Sequence, residues 1–147
     1  MTTISALETI YKKGLYGNFK DKNNNDIITI SEKKNLLIVQ IVKYKKSTLS
    51  INDIKIENLM LPTQVMKVNC NDVTRILWCG PNNWLLISKK KELIKDVNKL
   101  FKDSDFAITD LSHSRAIIEL EGKNSKEILK KGCPFNFNDL EKESCVN

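Results

Sequence analysis

The stretch from Phe106 to Pro134, FAITDLSHSRAIIELEGKNSKEILKKGCP, constrains this chain more than any other. It reads as a strand, a short polar crest, a second strand, a tight turn, a capped helix and a stop. Ile108, Ala116, Ile117, Ile118 and Leu120 are β-branched or small apolar residues of the kind a half-buried strand takes. Gly122 breaks the run. Asn124 and Glu127, three residues apart, have the spacing of an N-cap and its reciprocal partner. Ile128 and Leu129 give the helix a narrow apolar stripe. Gly132 and then Pro134 end it in the usual order, a permissive residue before a blocking one.

Upstream, Arg75 to Ser88 (RILWCGPNNWLLIS) reads as a hairpin. Apolar arms flank Gly80-Pro81-Asn82-Asn83, four turn-forming residues in a row. Alternation puts Ile76 and Trp78 on one face of their arm, and Trp84, Leu86 and Ser88 on one face of the other. The two tryptophans can stack a base or a flavin ring, but packing, as a cross-strand pair or on the adjacent helix, is the favoured reading. Lys89 to Phe101 follows as an amphipathic helix with Leu93, Ile94, Val97, Leu100 and Phe101 on one face. Ser88 is placed to cap it, and Lys89, Lys90 and Lys91 read as solvated.

Earlier still, Ile27 to Val42 holds two strand-like pieces, IITI and NLLIVQIV, separated by polar SEKKN. The second is nearly continuous in apolar residues, as in a strand covered on both faces. Ser47 to Leu61 reads as a helical or irregular connection closing at Leu61-Pro62. Residues 1–26 read as an N-terminal arm: Leu7, Ile10 and Tyr11 at helical spacing, Gly14 as a stop, Leu15, Tyr16 and Phe19 as scattered anchors, and Asn23 to Asp26 as a loop. Residues 27–147 then form a single α+β domain, an antiparallel sheet with helices packed on one face. At the far end, Val146 stands where a new strand would start.

At 147 residues, with 41% hydrophobic and 29% charged residues, the chain suits one ordinary domain that needs neither disulfides nor metal. It has no apolar run of about 18 residues or more. The first residues lack the basic-then-apolar layout of a secretory signal, so the expected location is the cytoplasm. The net charge of +6 suggests a polyanion partner, but of the 24 basic residues all but Arg75 and Arg115 are lysine. Phosphate and base readers favour the guanidinium fork, so neither nucleic acid nor membrane is expected as a partner. Cys70, Cys79, Cys133 and Cys145 form none of the short pairs a zinc site uses, and there is one histidine. Buried free thiols in a reducing compartment are the expectation.

Asp110, Ser112, His113 and Ser114 supply the ingredients of a hydrolase triad. In an extended crest, however, His113 faces away from both serines, and no nucleophile elbow is present. Asp110 and Ser112 are expected to hydrogen-bond the backbone of a turn. No glycine-rich phosphate loop exists. The expected set of catalytic, cofactor-binding and metal-ligating residues is therefore none.

Ile76-Leu77-Trp78-Cys79-Gly80-Pro81-Asn82-Asn83-Trp84-Leu85-Leu86 resembles the LWLGPDEWLL hairpin of the gamma subunit of heterotetrameric sarcosine oxidases. Asp110-Leu111-Ser112-His113-Ser114-Arg115 with Ile117 to Gly122 is similar to that family's D-S-H-x-R strand pair. Lys131-Gly132-Cys133-Pro134 matches its KGCP helix end, and Leu61-Pro62-Thr63 its LPT segment. The likeness runs from about Asn35 to Cys145 in consistent order. It also extends to the folate-binding domain of aminomethyltransferases, such as the T-protein of glycine cleavage.

The resemblance implies a ferredoxin-like, aminomethyltransferase-type fold in a non-catalytic assembly subunit that binds no cofactor itself. The complex it implies oxidatively demethylates sarcosine, coupled to tetrahydrofolate. FAD and FMN would sit on the beta subunit, NAD and tetrahydrofolate on alpha, and zinc on delta. The Asn-rich N-terminal region departs from the family. The chain also stops at Ser144-Cys145-Val146, where the family continues with a strand pair and a helix, so it is a fragment or has lost them. Either way, sheet edge and apolar surface would be left uncovered. The alternatives are a folate-binding aminomethyltransferase-like module, which needs a carboxylate for the pterin, and a basic nucleic-acid-binding domain with exposed aromatics on its sheet.

Overall fold

The computed structural model describes residues 5, 7–10, 28–141 and 143–146. In chain order the elements are β1 (Thr29–Lys33), β2 (Leu37–Lys43), β3 (Lys55–Ile56), β4 (Leu59–Met60), β5 (Val68–Cys70), β6 (Thr74–Gly80), β7 (Asn83–Ser88), α1 (Leu93–Leu100), β8 (Phe106–Asp110), β9 (Ile117–Glu121) and α2 (Ser125–Gly132). This is an α+β protein whose strand pairs are antiparallel. Contacts group the chain into two compact units. One joins Met1–Lys34 with Ala116–Leu140, the other Asn35–Arg115 with Glu141–Asn147. The arm features expected at Tyr11, Gly14, Leu15, Tyr16, Phe19 and Asn23 to Asp26 lie outside the described residues.

The larger unit is a five-stranded sheet in the order β5-β6-β7-β2-β8. β2 lies between β7 and β8; Leu37, Val39 and Ile41 join the core on one face, while on the other Ile38 is buried and Gln40 and Val42 are half-buried. Register puts Val39 opposite Leu86 and Asp110, and Ile41 opposite Trp84 and Ile108. One face of three strands therefore converges on a single core. α1 packs over β2 and adds Leu93 and Val97, with Phe101 just beyond its end. Phe101 meets Phe106 edge-on, with ring centroids 4.7 Å apart and planes at 71°, the arrangement the ring quadrupoles favour.

The hairpin forms at the expected place. Pro81 holds φ negative and Asn82 takes a φ of 58°, the residue order of a type II turn. A bulge falls between Trp78 and Gly80, where Gly80 has a φ of 146°. A Cβ there would meet nothing within 4 Å, so the demand for glycine comes from the backbone alone.

Several local expectations need correction. β1 begins at Thr29 and runs through Ser31, Glu32 and Lys33, so part of the polar separator is itself strand. A two-stranded sheet covered on one side at most accepts such residues on its other face. The connection from Ser47 to Leu61 is not helical. It carries the β3–β4 hairpin, turned at Glu57 and Asn58 with φ of 49° and 67°. Two consecutive positive φ values suit a primed hairpin turn.

The helix expected from Lys89 starts at Leu93 and has no side-chain cap. Ser88 instead closes a local turn by accepting the Lys90 N–H at 3.1 Å. α2 likewise lacks the expected reciprocal cap, because Glu127 pairs with Lys130 at 2.7 Å.

The smaller unit holds β1 paired with β9, and α2. β8 and β9, adjacent in sequence, therefore enter different sheets. Ile30 faces Leu120 and Glu32 faces Ile118 across the β1–β9 pair. Ile30 and Ile118 remain 53% and 55% exposed, and α2 buries no residue.

Candidate functional site

The crest between β8 and β9 was the one place where acid, histidine and hydroxyls cluster in sequence. It is a turn, not an extended segment. Ser114 N–H and Arg115 N–H both donate to the Leu111 carbonyl, at 3.0 and 3.1 Å. Asp110 Oδ1 accepts the Ser112 N–H at 2.9 Å, and Ser112 Oγ accepts the Ile38 N–H at 2.9 Å. Leu111 N–H donates to the Ile38 carbonyl at 2.8 Å, so the crest extends the β8–β2 ladder by one rung. Ser114 Oγ donates back to the Leu111 carbonyl at 3.2 Å.

Asp110 thus holds the backbone of the turn as expected, whereas the Ser112 hydroxyl reaches the backbone of β2 instead. The expectation that side-chain alternation separates His113 from the serines is replaced by this turn geometry, and His113 is exposed. Partial burial pushes the Asp110 carboxyl up. The hydrogen bonds from Ser112 and the nearby His113 outweigh it and leave the carboxyl below its ordinary range. A carboxylate held ionised on a turn is a poor proton acceptor at neutral pH.

Trp78 and Trp84 sit directly opposite each other in register. Trp84 is 2% exposed, and its indole N–H donates to the Pro62 carbonyl at 2.7 Å. Neither a base nor a flavin ring reaches a side chain so enclosed. This bond also joins the Leu61-Pro62-Thr63 segment to the hairpin, two of the pieces that carried the family likeness.

A connected polar network among the described residues was not visible in sequence. Thr74 and Ser88, paired across β6 and β7, are both buried, with their hydroxyl oxygens 2.9 Å apart. Thr74 Oγ1 donates to Glu57 Oε2 at 2.5 Å. Its single proton is then committed, so Ser88 Oγ must donate to Thr74 while accepting from the Lys90 N–H. Glu57 also pairs with the Lys90 ammonium. The bond to Lys90 and then the bond to Thr74 hold the Glu57 carboxyl below its ordinary range, against the opposing effect of burial. Lys90 is therefore engaged rather than simply solvated, and Lys89 donates to the Asp72 carbonyl at 3.0 Å. The network locks the β3–β4 hairpin to β6, β7 and the turn that precedes α1.

An open groove of about 410 Å³ is lined by Met60, Leu61, Pro62, Thr63, Lys67 and Asn69, among others. No carboxylate lines it, and Asn69 Nδ2 is occupied by the Met60 carbonyl at 2.8 Å. All four cysteines are free and half-buried rather than fully buried. Among the described residues no group of three or more histidine, cysteine, aspartate or glutamate side chains is placed to hold a metal ion. None of their helices is long and apolar enough to cross a membrane.

Comparison with known proteins gives one consistent likeness. No family profile matches the chain. Over 79 residues it is 34% identical to sarcosine oxidase subunit gamma of Corynebacterium sp. strain P-1, covering 52% of this chain and 39% of that one. Over 84 residues it is 31% identical to the same subunit of Corynebacterium sp. strain U-96, covering 55% of this chain and 40% of that one. The chain thus spans about two fifths of the length of these curated relatives. A chain of heterotetrameric sarcosine oxidase from Corynebacterium sp. U-96, solved with pyrrole 2-carboxylate, superposes with a TM-score of 0.68 at 23% identity. That match covers 78% of this chain and 60% of the other, and establishes a shared fold. The likeness to sarcosine oxidase gamma subunits read from the sequence motifs therefore holds.

Proposed function

We propose that this chain is a non-catalytic assembly subunit of the sarcosine oxidase gamma type, contributing packing surface to a heterotetramer that oxidatively demethylates sarcosine. One observation carries the reading. Where the sequence concentrates chemistry, Asp110 and Ser114 bond the backbone of the turn and Ser112 Oγ accepts the Ile38 N–H of β2. The resemblance to gamma subunits points the same way. In this reading the partners are the alpha, beta and delta subunits. FAD, FMN, NAD, tetrahydrofolate and zinc reside on those partners, and the assembly is cytoplasmic.

Co-expression with flavin-bearing partner subunits, followed by affinity capture of this chain, tests the proposal. The expected result is co-purification of yellow, flavin-containing subunits, with no sarcosine turnover by this chain alone. A chain that stays monomeric beside the partners and turns over substrate unaided overturns it. Saturable fluorescence quenching by a reduced folate would favour the aminomethyltransferase-like alternative instead. Salt-sensitive oligonucleotide binding would favour the basic-domain alternative.

A further inference from the structure

We propose that Cys79 and Cys145 are a redox pair that closes a reversible intramolecular disulfide, fastening residues 143–146 to strand β6. The inference is independent of the assembly role. Three backbone contacts lay residues 143–145 along Met66, Lys67 and Val68, where the chain enters β5: Val68 N–H to the Glu143 carbonyl at 3.0 Å, the bridge between Lys67 and Ser144, and Cys145 N–H to the Met66 carbonyl at 2.8 Å. This placement brings Cys145 Sγ to 3.4 Å from the Trp78 carbonyl oxygen.

That oxygen belongs to the peptide leading into Cys79, and planar peptide geometry puts it about 2.8 Å from the Cys79 Cα. The Cys145 sulfur is therefore within about 6 Å of the Cys79 Cα, the neighbourhood from which a disulfide closes by side-chain rotation and small backbone shifts. Cys79 also sits at the β6 bulge, where the ladder is already irregular. Neither thiol is sealed off, since both are half-buried.

The two sulfurs are not equivalent. Burial raises the Cys79 thiol above its ordinary range, but the Leu85 N–H and the Arg115 guanidinium both favour its thiolate. Burial and the neighbouring Cys79 both push Cys145 up. With the Arg115 cation beside it, Cys79 is assigned as the attacking thiol and Cys145 as the resolving one. With a small-molecule disulfide such as oxidised glutathione as oxidant, the Cys79 thiolate attacks one sulfur and releases one glutathione thiolate. The Cys145 thiolate then attacks the Cys79 sulfur of the mixed disulfide and releases the second. The two cysteines lose two protons and two electrons, and one oxidised glutathione becomes two reduced ones.

The test incubates the reduced full chain with oxidised glutathione, alkylates the remaining thiols and maps the peptides without reductant. The expected product links the Cys79 and Cys145 peptides, leaves Cys70 and Cys133 alkylated and reverts with dithiothreitol. In Cys145→Ser the resolving sulfur is gone, so Cys79 should accumulate as a stable glutathione adduct. Four alkylated cysteines, separate adducts on Cys79 and Cys145 in the unsubstituted chain, or a link through Cys70 or Cys133 would each overturn the proposal. The map of the unsubstituted chain decides the matter even if the variant misfolds.

Discussion

The two units use the same kind of residue to opposite ends. In the larger one Val39, Ile41, Ile76 and Leu86 are wholly buried in one core. In the smaller one Ile30 and Ile118 stand more than half exposed on one face of a two-stranded sheet. Ile128 and Leu129 of α2 are 39% and 38% exposed, and among the described residues Phe137 is the buried hydrophobic one. Fully burying an aliphatic side chain stabilises a fold by about 1.5–3 kcal/mol, so the first unit collects that energy and the second leaves much of it uncollected. A two-stranded sheet is marginal alone. The contrast teaches that β-strand pattern and apolar content do not by themselves report where a core is. What decides is whether a second layer closes over the face.

Substitutions can break this contrast. The largest effect should come from Trp84→Ala, which empties a core site and strands the Pro62 carbonyl; about 3–5 kcal/mol should be lost in urea unfolding. Gly80→Ala should cost about 1–3 kcal/mol through its backbone angle alone, since the site has room for the methyl group. Thr74→Val should cost about 1–2 kcal/mol by leaving Glu57 without its hydroxyl donor.

Glu57 also predicts a pH dependence. Its folded carboxyl titrates below its unfolded value, so its contribution is complete above the unfolded value and is lost as pH falls through the folded one. Acid should therefore destabilise the chain through Glu57, and Thr74→Val or Lys90→Ala should flatten that loss when unfolding is followed against pH. Least affected should be Ile118→Lys, under about 0.5 kcal/mol in the isolated chain. The same change should weaken capture of partner subunits if the exposed face meets them. An Ile118→Lys penalty as large as that of Trp84→Ala would erase the contrast.

What was legible in the sequence follows from how local each cause is. The hairpin at Pro81-Asn82, the buried apolar run of β2 and the turn role of Asp110 were readable, because turn chemistry and apolar runs act over a few residues. The start of α1 was misread because Ser88 looks like a cap, while its hydroxyl serves Thr74 and Lys90 in a turn. The separation of β8 from β9 was unreadable, since both are five-residue strands flanking one crest and their partners β2 and β1 lie far upstream. The Glu57–Thr74–Ser88–Lys90 network had no signal at all. Its members are spread over 34 positions and meet only when β3–β4 folds beside β6 and β7.

Amide hydrogen exchange of this chain, alone and then with the flavoprotein partners, tests the central claim most directly. Alone, amides of β2 and β7 should exchange only on global unfolding, while β1, β9 and α2 exchange orders of magnitude faster. With partners, the added protection should fall on β1, β9 and α2. Equal protection of both units in the isolated chain, or no change on adding the partners, would contradict the account.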